Sequence, residues 1–354
     1  MSIAEKTPLL SPLAKKRWQR FKSLKRGYYS AVILVTLLVL SGAAELISNH
    51  RALVVKYDGE WFFPVYSQQI SGKTFGLDYS YEANYKDLKK QFEREGSDNW
   101  VLMPPVPFGP LEIDVIEGDF PPHAPSSELK HYLGTDTSGR DVLSRMIYGF
   151  RVSIIFSLLL LLTNYTIGIT LGCIMGFWGG WFDLLFQRVI EIWSNVPVLY
   201  VLIIVGSVIT PSIGVLVILL SIFGWTGMTW YMRTATYKES ARDYVMAAKA
   251  MGASPARIIF KHILPNTVST IVTFVPFAVA GGITTLTALD FLGYGLPAPT
   301  PSWGELLKQG TDNLESSWIV LSVVGGMTFI LMLVAYIGEA IRDAYDPRKF
   351  AYYE

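Results

Sequence analysis

The residues that could bind phosphate or perform hydrolysis do not occur in the spacings that such chemistry requires. The segment SGKT at 71–74 matches the end of a phosphate-binding loop, but the glycine needed five residues before Gly72 is replaced by Ser67. No apolar strand feeds into this segment. The chain is therefore not expected to bind nucleotides or to hydrolyse ATP by itself.

Metal-binding and catalytic patterns are also missing from the sequence. The four histidines do not follow His-x₃-His or His/Glu metal-ligand spacing, and no Ser-His-Asp or paired-carboxylate arrangement stands out. The single cysteine, Cys173, lies in an apolar run and is interpreted as a small residue facing lipid or another helix. We expect no catalytic residue, no metal site and no bound cofactor in this chain.

The elements that remain are long and apolar. The 354 residues are 51% hydrophobic and 17% charged, which is typical of a membrane protein, and the net charge of +1 does not indicate a nucleic-acid partner. Six runs are long enough, or nearly so, to cross a bilayer. They are residues 28–47, 152–178, 185–209, 213–232, 267–293 and 318–341. The predicted fold class is an all-α polytopic membrane protein with six transmembrane helices and an external insert after the first.

Lysines and arginines beside these runs predict the orientation. The tail 1–27 carries eight lysines and arginines against Glu5 alone, which favours a cytoplasmic tail. Alternation then gives the predicted domains: tail 1–27, helix 28–48, external insert 49–151, a five-helix core 152–341 with a cytoplasmic loop 233–266, and a cytoplasmic tail 342–354. The segment SGAA at 41–44 resembles a signal-peptide cleavage site, but the first run is interpreted as an uncleaved anchor.

Two parts of the external insert have recognisable local patterns. The charged segment NYKDLKKQFEREG at 84–96 predicts a helix. The proline-rich stretch 103–128 predicts extended strands and turns, because repeated prolines remove backbone donors.

Acidic residues within or beside the spans are candidate pathway residues. Glu191 lies three residues after Arg188 near the cytoplasmic end of its span, so an interfacial ion pair is an alternative to a pathway role. Asp290 lies at the opposite end of its span and either lines the substrate exit or lies in the headgroup region.

Small residues and prolines predict how the spans pack. Gly168, Gly172 and Gly176 form one helical stripe that lets another helix approach closely. The stripe fits either a mobile contact in a transport pathway or static packing. Pro197 and Pro276 each remove a helical hydrogen bond and predict kinks.

The 233–266 loop has a pattern of its own. Residues 238–251 predict a helix, and Gly252 is a natural left-handed terminator. Ser254 followed by Pro255 predicts the start of a second helix, and Pro265 marks entry into the fifth span. The result is a helix, a tight turn and a helix, slim enough at the bend to enter a groove in another protein.

This loop resembles the EAA signature, EAA-x₃-G-x₉-I-x-LP, of ABC importer permeases. Met246 replaces the signature glutamate and His262 replaces the isoleucine. The resemblance implies a coupling helix seated in a cleft of an ATPase subunit, where Tyr244 or Lys249 would take over the glutamate's contact. The residues implied at this contact are Tyr244, Met246, Ala247, Ala248, Lys249, Gly252, Ala253, Ser254, Arg257, Leu264 and Pro265.

Two further segments, HYLGTDTSGRDVLSRMIYGFRVSI at 131–154 and DFLGYGLPAPTPSWGELL at 290–307, resemble the oligopeptide/dipeptide ABC importer permease family, C-type subunit. The long insert is similar to the Yej-type branch, associated with peptides and microcin C. The charged residues of the first segment form either a structural clamp or a contact to substrate or binding protein. The external motif residues are Gly134, Thr135, Asp136, Gly139, Arg140, Asp141, Arg145 and Arg151.

The resemblance implies a permease subunit that moves oligopeptides, including peptide antibiotics such as microcin C, across a bacterial inner membrane. Its implied partners are a B-type permease chain, ABC ATPase subunits that use ATP and Mg²⁺, an external peptide-binding protein and the lipid bilayer. The insert is expected to dock the binding protein or the partner permease. Alternatives are a permease for a dipeptide, nickel or glutathione, a secondary transporter, and a membrane-anchored enzyme.

Overall fold

The computed structural model describes residues 12–96, 98–116 and 118–345, and helices dominate it. They are α1 (Pro12–Ser23), α2 (Lys25–Gly42), α3 (Ala44–Ile47), α4 (Tyr85–Glu95), α5 (Val142–Trp178), α6 (Gly180–Ser194), α7 (Val198–Gly206), α8 (Ile213–Gly224), α9 (Thr226–Ser240), α10 (Asp243–Ala250), α11 (Pro255–Ile258), α12 (Leu264–Leu292), α13 (Trp303–Asp312) and α14 (Ser317–Tyr345). Short 3₁₀ turns cover Gly72–Phe75 and Leu314–Ser316, and a π-helical turn covers Ile259–Ile263.

The helices include between three and six candidate membrane spans. Val142–Trp178, Pro255–Leu292 and Leu314–Tyr345 are each long and apolar enough to cross a bilayer. Three bent pairs reach the same length and hydropathy only together, with bends of 95° between α1 and α2, 59° between α6 and α7, and 44° between α8 and α9. Three of the predicted runs lie on single long helices, two lie on the bent pairs α6–α7 and α8–α9, and the run 28–47 lies on α2 and α3.

The helix boundaries differ from the predicted runs where a cap or proline intervenes. Helix α5 begins at Val142 rather than at residue 152, because the Asp141 carboxylate caps it by accepting a hydrogen bond from the Ser144 backbone N–H at 2.6 Å. Pro197 separates α6 from α7 at the predicted kink. Pro276 lies inside the continuous helix α12.

A small antiparallel sheet in the insert departs from the predicted all-α class, and it lies outside the stretch 103–128 for which strands were predicted. Strands β1 (Val54–Tyr57), β2 (Glu60–Phe62) and β3 (Trp100–Leu102) pair in the order β2-β1-β3. Asp58 and Gly59, with φ of 47° and 84°, form the tight turn between β1 and β2. β-branched and aromatic residues at these positions favour strands over helices, and the sheet contributes to a small apolar core.

The chain divides into two compact units. The first unit comprises residues up to Val35, Phe156–Ile283 and Phe329 onward, and the second comprises Thr36–Ile155 and Thr284–Thr328. In the second unit, Val55 and Val101 of the sheet pack with Tyr85, Leu88 and Phe92 of α4.

The helix predicted in the insert is confirmed, whereas the strands predicted for the proline-rich stretch are not. Asn84 caps α4 through the backbone N–H groups of Lys86 and Asp87, and Gly96 ends the helix in a left-handed conformation. Among its described residues, the proline-rich stretch 103–128 contains turns and isolated β-bridges at Val106, Ile113 and Ser126, but no strand.

In the first unit, the glycine stripe of α5 lies against α9. A Cβ atom on Gly168, Gly172 or Gly176 would lie between 2.5 and 2.8 Å from a backbone carbonyl oxygen of α9 or of Trp225, the residue before it. The two backbones therefore approach closely only because these side chains are absent. Cys173 lies on the same helix and is buried beside Met228 and Met232 of α9.

Candidate functional site

The 233–266 loop contains two short helices joined by a tight turn, with one departure from the prediction. The helix predicted over 238–251 is broken, because α9 ends at Ser240 and α10 begins at Asp243. Arg242 has the extended conformation between them, with φ of −81° and ψ of 148°. The loop therefore changes direction twice, once at residues 241–242 and once at Gly252.

The turn at Gly252 follows the predicted pattern. Gly252 has φ of 77°, which glycine adopts readily and other residues rarely do. The Ser254 hydroxyl accepts a hydrogen bond from the Arg257 backbone N–H at 3.4 Å, and Pro255 occupies the first turn of α11. The π-helical turn then leads into α12, where Leu264 and Pro265 are the first two residues.

One side of this hairpin forms its own apolar core. Ala248 is 2% exposed and packs with Val245 of the same helix and with Ile258 and Ile263 of the second arm. Ala253 packs against the same group. The small side chain of Ala248 therefore lets the two arms of the hairpin meet, which differs from the groove contact expected for it.

Tyr244 and Lys249 both interact with the chain itself. The Tyr244 hydroxyl donates a hydrogen bond to Glu239 Oε2 at 2.7 Å and accepts one from Asn266 Nδ2 at 3.3 Å. Burial, with the hydrogen bond to Glu239, raises the pKa of Tyr244 to about 12. Lys249 Nζ lies 4.8 Å from the ring centroid of Phe177. Both side chains thus fasten the hairpin to neighbouring helices.

The opposite side of the hairpin exposes apolar side chains. Met246, Met251 and Phe260 are 52%, 81% and 61% exposed, and Ala247 and Gly252 are also exposed. Sequence reasoning selected Met246, Ala247 and Gly252 but missed Met251 and Phe260. Met251 had a signal in the sequence, because it is a large apolar residue directly before the predicted turn at Gly252, whereas Phe260 lies eight residues after that glycine and had none. Exposed apolar residues around a structured turn are typical of a protein-binding surface.

A second cluster of predicted residues, in the second unit, is a charge network. Asp136 Oδ1 accepts hydrogen bonds from the backbone N–H groups of Ser138 and Arg140, and its Oδ2 accepts one from Arg140 Nε at 2.7 Å. Arg145 Nε lies 3.5 Å from the same oxygen. Gly134 and Gly139 have positive φ and allow the turns around this carboxylate. The TDTSGR segment is therefore folded around Asp136.

Glu305, which the sequence did not single out, completes this network. Its carboxylate pairs with Arg140 Nη2 at 2.9 Å and with Arg145 Nη2. Trp303 Nε1, two residues earlier, donates to the Met146 carbonyl at 2.9 Å. The two segments that carry the family resemblance in this unit thus bind each other. This geometry supports the structural-clamp interpretation.

The remaining motif residues also bind within the second unit. The Thr135 hydroxyl accepts a hydrogen bond from the His123 backbone N–H at 2.7 Å. Arg151 pairs with Glu45 at 2.8 Å. Glu45 had no signal in the sequence, because 106 residues separate it from Arg151.

His131 is buried between two carboxylates. Its Nδ1 lies 2.8 Å from Asp141 Oδ2, its Nε2 lies 3.1 Å from Asp114 Oδ2, and its ring stacks on Phe108 at 3.9 Å between centroids. Burial alone lowers the pKa of His131, but the hydrogen bonds to Asp114 and Asp141 outweigh it and raise the pKa to about 8. The hydrogen bond from His131 lowers the pKa of Asp114. The geometry fits an imidazolium that donates from both nitrogens.

The two candidate pathway acids have different surroundings. Asp290 is buried, accepts a hydrogen bond from the Leu296 backbone N–H at 2.7 Å and binds the Ser302 hydroxyl, so it fixes the loop that follows α12. Glu191 pairs with Arg188 at 2.5 Å, the ion pair given above as the alternative to a pathway role.

A third acid, Asp183, was missed by sequence reasoning. It is buried in the first unit and receives two hydrogen bonds from Arg233, at 2.6 and 2.5 Å. This bidentate pair joins α6 to α9. Its partners lie 50 residues apart, beyond the reach of any local pattern.

The comparisons with known proteins match this chain to membrane components of transport systems. Residues 168–350 match the sequence model of a family described as binding-protein-dependent transport system inner membrane component. The chain is 41% identical over 342 residues to the inner membrane ABC transporter permease protein YejE of Escherichia coli K12, covering 96% of this chain and 98% of that protein. It is 37% identical over 372 residues to the peptidoglycan transport system permease protein YejE of Agrobacterium fabrum C58, covering 98% and 96%. The dipeptide transport system permease protein DppC of Bacillus subtilis is 31% identical over 244 residues, or 68% of this chain and 75% of that protein.

Proposed function

Because this chain belongs to the family of binding-protein-dependent transport system inner membrane components, we propose that it is a permease subunit through which an ABC importer moves oligopeptides. The names of the relatives support a peptide-type substrate, since they include a peptidoglycan transport and a dipeptide transport permease. The resemblance to the peptide permease family and its Yej-type branch is confirmed by these matches.

The observation that carries this proposal is the exposed apolar surface of the hairpin in the 233–266 loop. Met246 and Met251 are exposed on the arm that leads into the turn at Gly252, and the other side of this arm is closed by its own core. A separate ATPase subunit would receive this surface in a cleft. Closure of the ATPases on ATP would then move the hairpin and favour one of two conformations of the membrane helices, by binding one state more tightly than the other.

The proposed membrane arrangement has six spans: α2, α5, α12 and α14 each form one span, and the bent pairs α6–α7 and α8–α9 each form one. The tail, the 233–266 loop and the C-terminus would lie in the cytoplasm, and the 49–151 insert would lie outside. The lysine and arginine distribution supports this orientation. A second, B-type permease chain would complete the pathway, and an external binding protein would deliver peptides to the insert side.

Substitution of Met251 tests the proposed contact. We expect Met251→Asp to reduce ATP-dependent peptide uptake by about thirtyfold, because a charge in an apolar hot spot of an interface costs roughly 2 kcal/mol or more. The measurement is peptide uptake, with ATPase activity, in proteoliposomes that hold the chain, its partner permease, the ATPases and the binding protein. Met251→Asp is preferred to Gly252→Arg, since the positive φ of Gly252 adds backbone strain to any substitution.

Val115→Asp is the matched control, because Val115 is also 81% exposed but lies in the second unit, in the external insert of the proposed topology. It should leave uptake unchanged. Normal uptake by Met251→Asp would contradict the ATPase contact. Uptake by the wild-type assembly without ATP would contradict an ABC importer and indicate a secondary transporter.

A further inference from the structure

A cavity of about 1100 Å³ lies in the first unit beside the bend between α1 and α2. Its walls come from this bend, from residues 269–274 near the start of α12 and from the last turns of α14. Three cations line it, Lys25, Arg26 and Arg342, together with two acids, Glu339 and Asp343. The cavity is therefore formed by the ends of membrane helices and carries a local excess of positive charge.

The excess of positive charge is larger when the adjacent helix α1 is included. Residues 12–27 contain seven lysines and arginines and no acid. One of them, Arg20, donates from Nε to the Asp343 carbonyl at 3.1 Å, and another, Arg17, lies 4.4 Å from the ring centroid of Tyr345. These contacts hold α1 and its positive charges against the end of α14.

The three cations of the cavity are available to bind an anion. Within the described part of the chain, Lys25, Arg26 and Arg342 make no ion pair, and all three are exposed. Hydroxyl groups of Ser269 and Thr270 line the α12 wall, beside Thr273, whose hydroxyl donates to the Ser269 carbonyl at 2.8 Å. Cationic side chains and hydroxyl groups donate hydrogen bonds to phosphate oxygens.

The rest of the lining is apolar, which favours an amphipathic ligand over a soluble anion. Leu24, Phe274 and Tyr336 contribute to the walls beside the polar groups. A ligand with a phosphate headgroup and hydrocarbon chains matches both surfaces. Basic pockets between membrane helices have this character at lipid-binding sites.

Helix α1 itself has the features of a helix that lies in the headgroup layer. It meets α2 at 95°, so the two helices cannot both follow the membrane normal. Phe21 is buried against Ala340 and Ala344, whereas Trp18 is 48% exposed with Lys22 Nζ 5.3 Å from its ring centroid. An exposed tryptophan among cations is typical of the membrane–water interface.

From this geometry we propose that the cavity between α1, α2, α12 and α14 binds the phosphate headgroup of an anionic phospholipid. Lys25, Arg26 and Arg342 hold the phosphate, the hydroxyls of Ser269 and Thr270 donate to its oxygens, and the acyl chains follow Leu24 and Phe274. The bound lipid joins the α1–α2 bend to the end of α14. This inference depends on the chain being a membrane protein and not on its substrate.

The test measures lipid retention by the transporter purified with its co-expressed partner subunits. The assembly is placed in nanodiscs of phosphatidylcholine with or without phosphatidylglycerol, and native mass spectrometry then counts the lipids that remain on this chain. Wild-type protein should retain phosphatidylglycerol in preference to phosphatidylcholine. The triple variant Lys25→Gln, Arg26→Gln and Arg342→Gln should lose this preference by roughly a hundredfold, at about fivefold per cation.

The control triple variant is Lys73→Gln, Lys90→Gln and Arg94→Gln, which removes three exposed cations of the second unit. It should retain lipid like the wild type. A photoreactive phosphatidylglycerol provides a readout on the wild-type protein alone, so a triple variant that fails to fold does not end the test. It should label peptides that contain residues 23–27 or 269–274.

Four results would overturn the proposal. The first is equal retention of the two lipids by the wild type. The second is unchanged retention by a folded cavity variant, and the third is labelling confined to other segments. The fourth is stabilisation against heat by millimolar inorganic phosphate equal to that given by phosphatidylglycerol, which would indicate a site for a soluble anion. Loss of peptide transport with intact lipid retention would affect only the proposed function.

Discussion

At the scale of single residues, the second unit depends on charges that are buried and paired. Arg145 is 0% exposed, and its charge is offset by Asp136 and Glu305. Removing one partner of such a network leaves a charge without compensation in a poorly solvated site, which costs more than the pair itself contributes. The same argument applies to His131, which lies between Asp114 and Asp141.

Glu305→Gln should destabilise the protein by about 3 kcal/mol, because Arg140 and Arg145 then share the single carboxylate of Asp136. Thermal unfolding in detergent measures this effect. The matched control is Glu315→Gln, since Glu315 is exposed and makes no ion pair among the described residues. Equal unfolding temperatures for the two variants would show that the clamp does not contribute to stability.

The pH dependence of stability should report on His131. Its pKa in the folded protein, about 8, lies above the ordinary value of 6.5, so the stabilisation is fully present below pH 6.5 and is lost as the pH rises through 8. The contribution is on the order of 2 kcal/mol. The unfolding temperature of the wild type should fall as the pH rises across this range. His131→Gln should unfold at a lower temperature than the wild type at low pH, and its unfolding temperature should change less with pH. Identical profiles for the two proteins would contradict a charged His131.

At the scale of elements, the helices of the first unit meet where side chains are small or charges are paired. The glycine stripe brings the backbones of α5 and α9 together, and the Asp183–Arg233 pair joins α6 to α9. Helix α9 is therefore fixed from two sides just before the hairpin of the 233–266 loop. These contacts connect the hairpin, through α9, to α5 and α6.

Gly172→Ala tests the close approach of α5 and α9. A Cβ atom there would lie 2.6 Å from the Thr229 carbonyl oxygen and 2.7 Å from Met232 Cβ, so we expect destabilisation by about 1–3 kcal/mol. Gly281→Ala is the matched control, because Gly281 also lies in a long helix but has no atom within 4 Å of the added Cβ. It should be neutral or stabilising by up to about 1 kcal/mol. Thermal unfolding distinguishes the two, and an equal response would contradict the tight packing.

At the scale of the whole molecule, the central prediction is the orientation of the chain in the membrane. The hairpin carries Met251, and the insert carries Phe120, which is 89% exposed. The proposed topology assigns them to opposite sides of the membrane. The tail and the 233–266 loop carry lysines and arginines that favour the cytoplasmic side, and alternation of the spans then places the insert outside.

Cysteine labelling in whole cells measures this orientation. The natural Cys173 is buried, and Cys173→Ala removes it from the background. In that background, Phe120→Cys should react with a membrane-impermeant maleimide added outside, and Met251→Cys should react only after the cells are lysed. Labelling of Met251→Cys in intact cells would reverse the proposed topology.

The sequence alone was sufficient for the features that depend on neighbouring residues. The apolar runs, the cap at Ser254, the left-handed Gly252, the helix after Asn84 and the ion pair of Arg188 with Glu191 all follow from spacings of a few residues, and the structure contains each of them. The family resemblance was readable for the same reason, since its motifs are contiguous segments.

Only the tertiary structure showed which distant groups meet. Glu305 reaches Arg145 across 160 residues, Asp183 reaches Arg233 across 50, and Ala248 turns inward onto the second arm of its hairpin. No local pattern encodes such partners, because burial and ion pairing depend on how helices pack and not on the spacing within one of them. The cavity beside α1 has the same origin, since its three walls come from segments that are far apart in the chain.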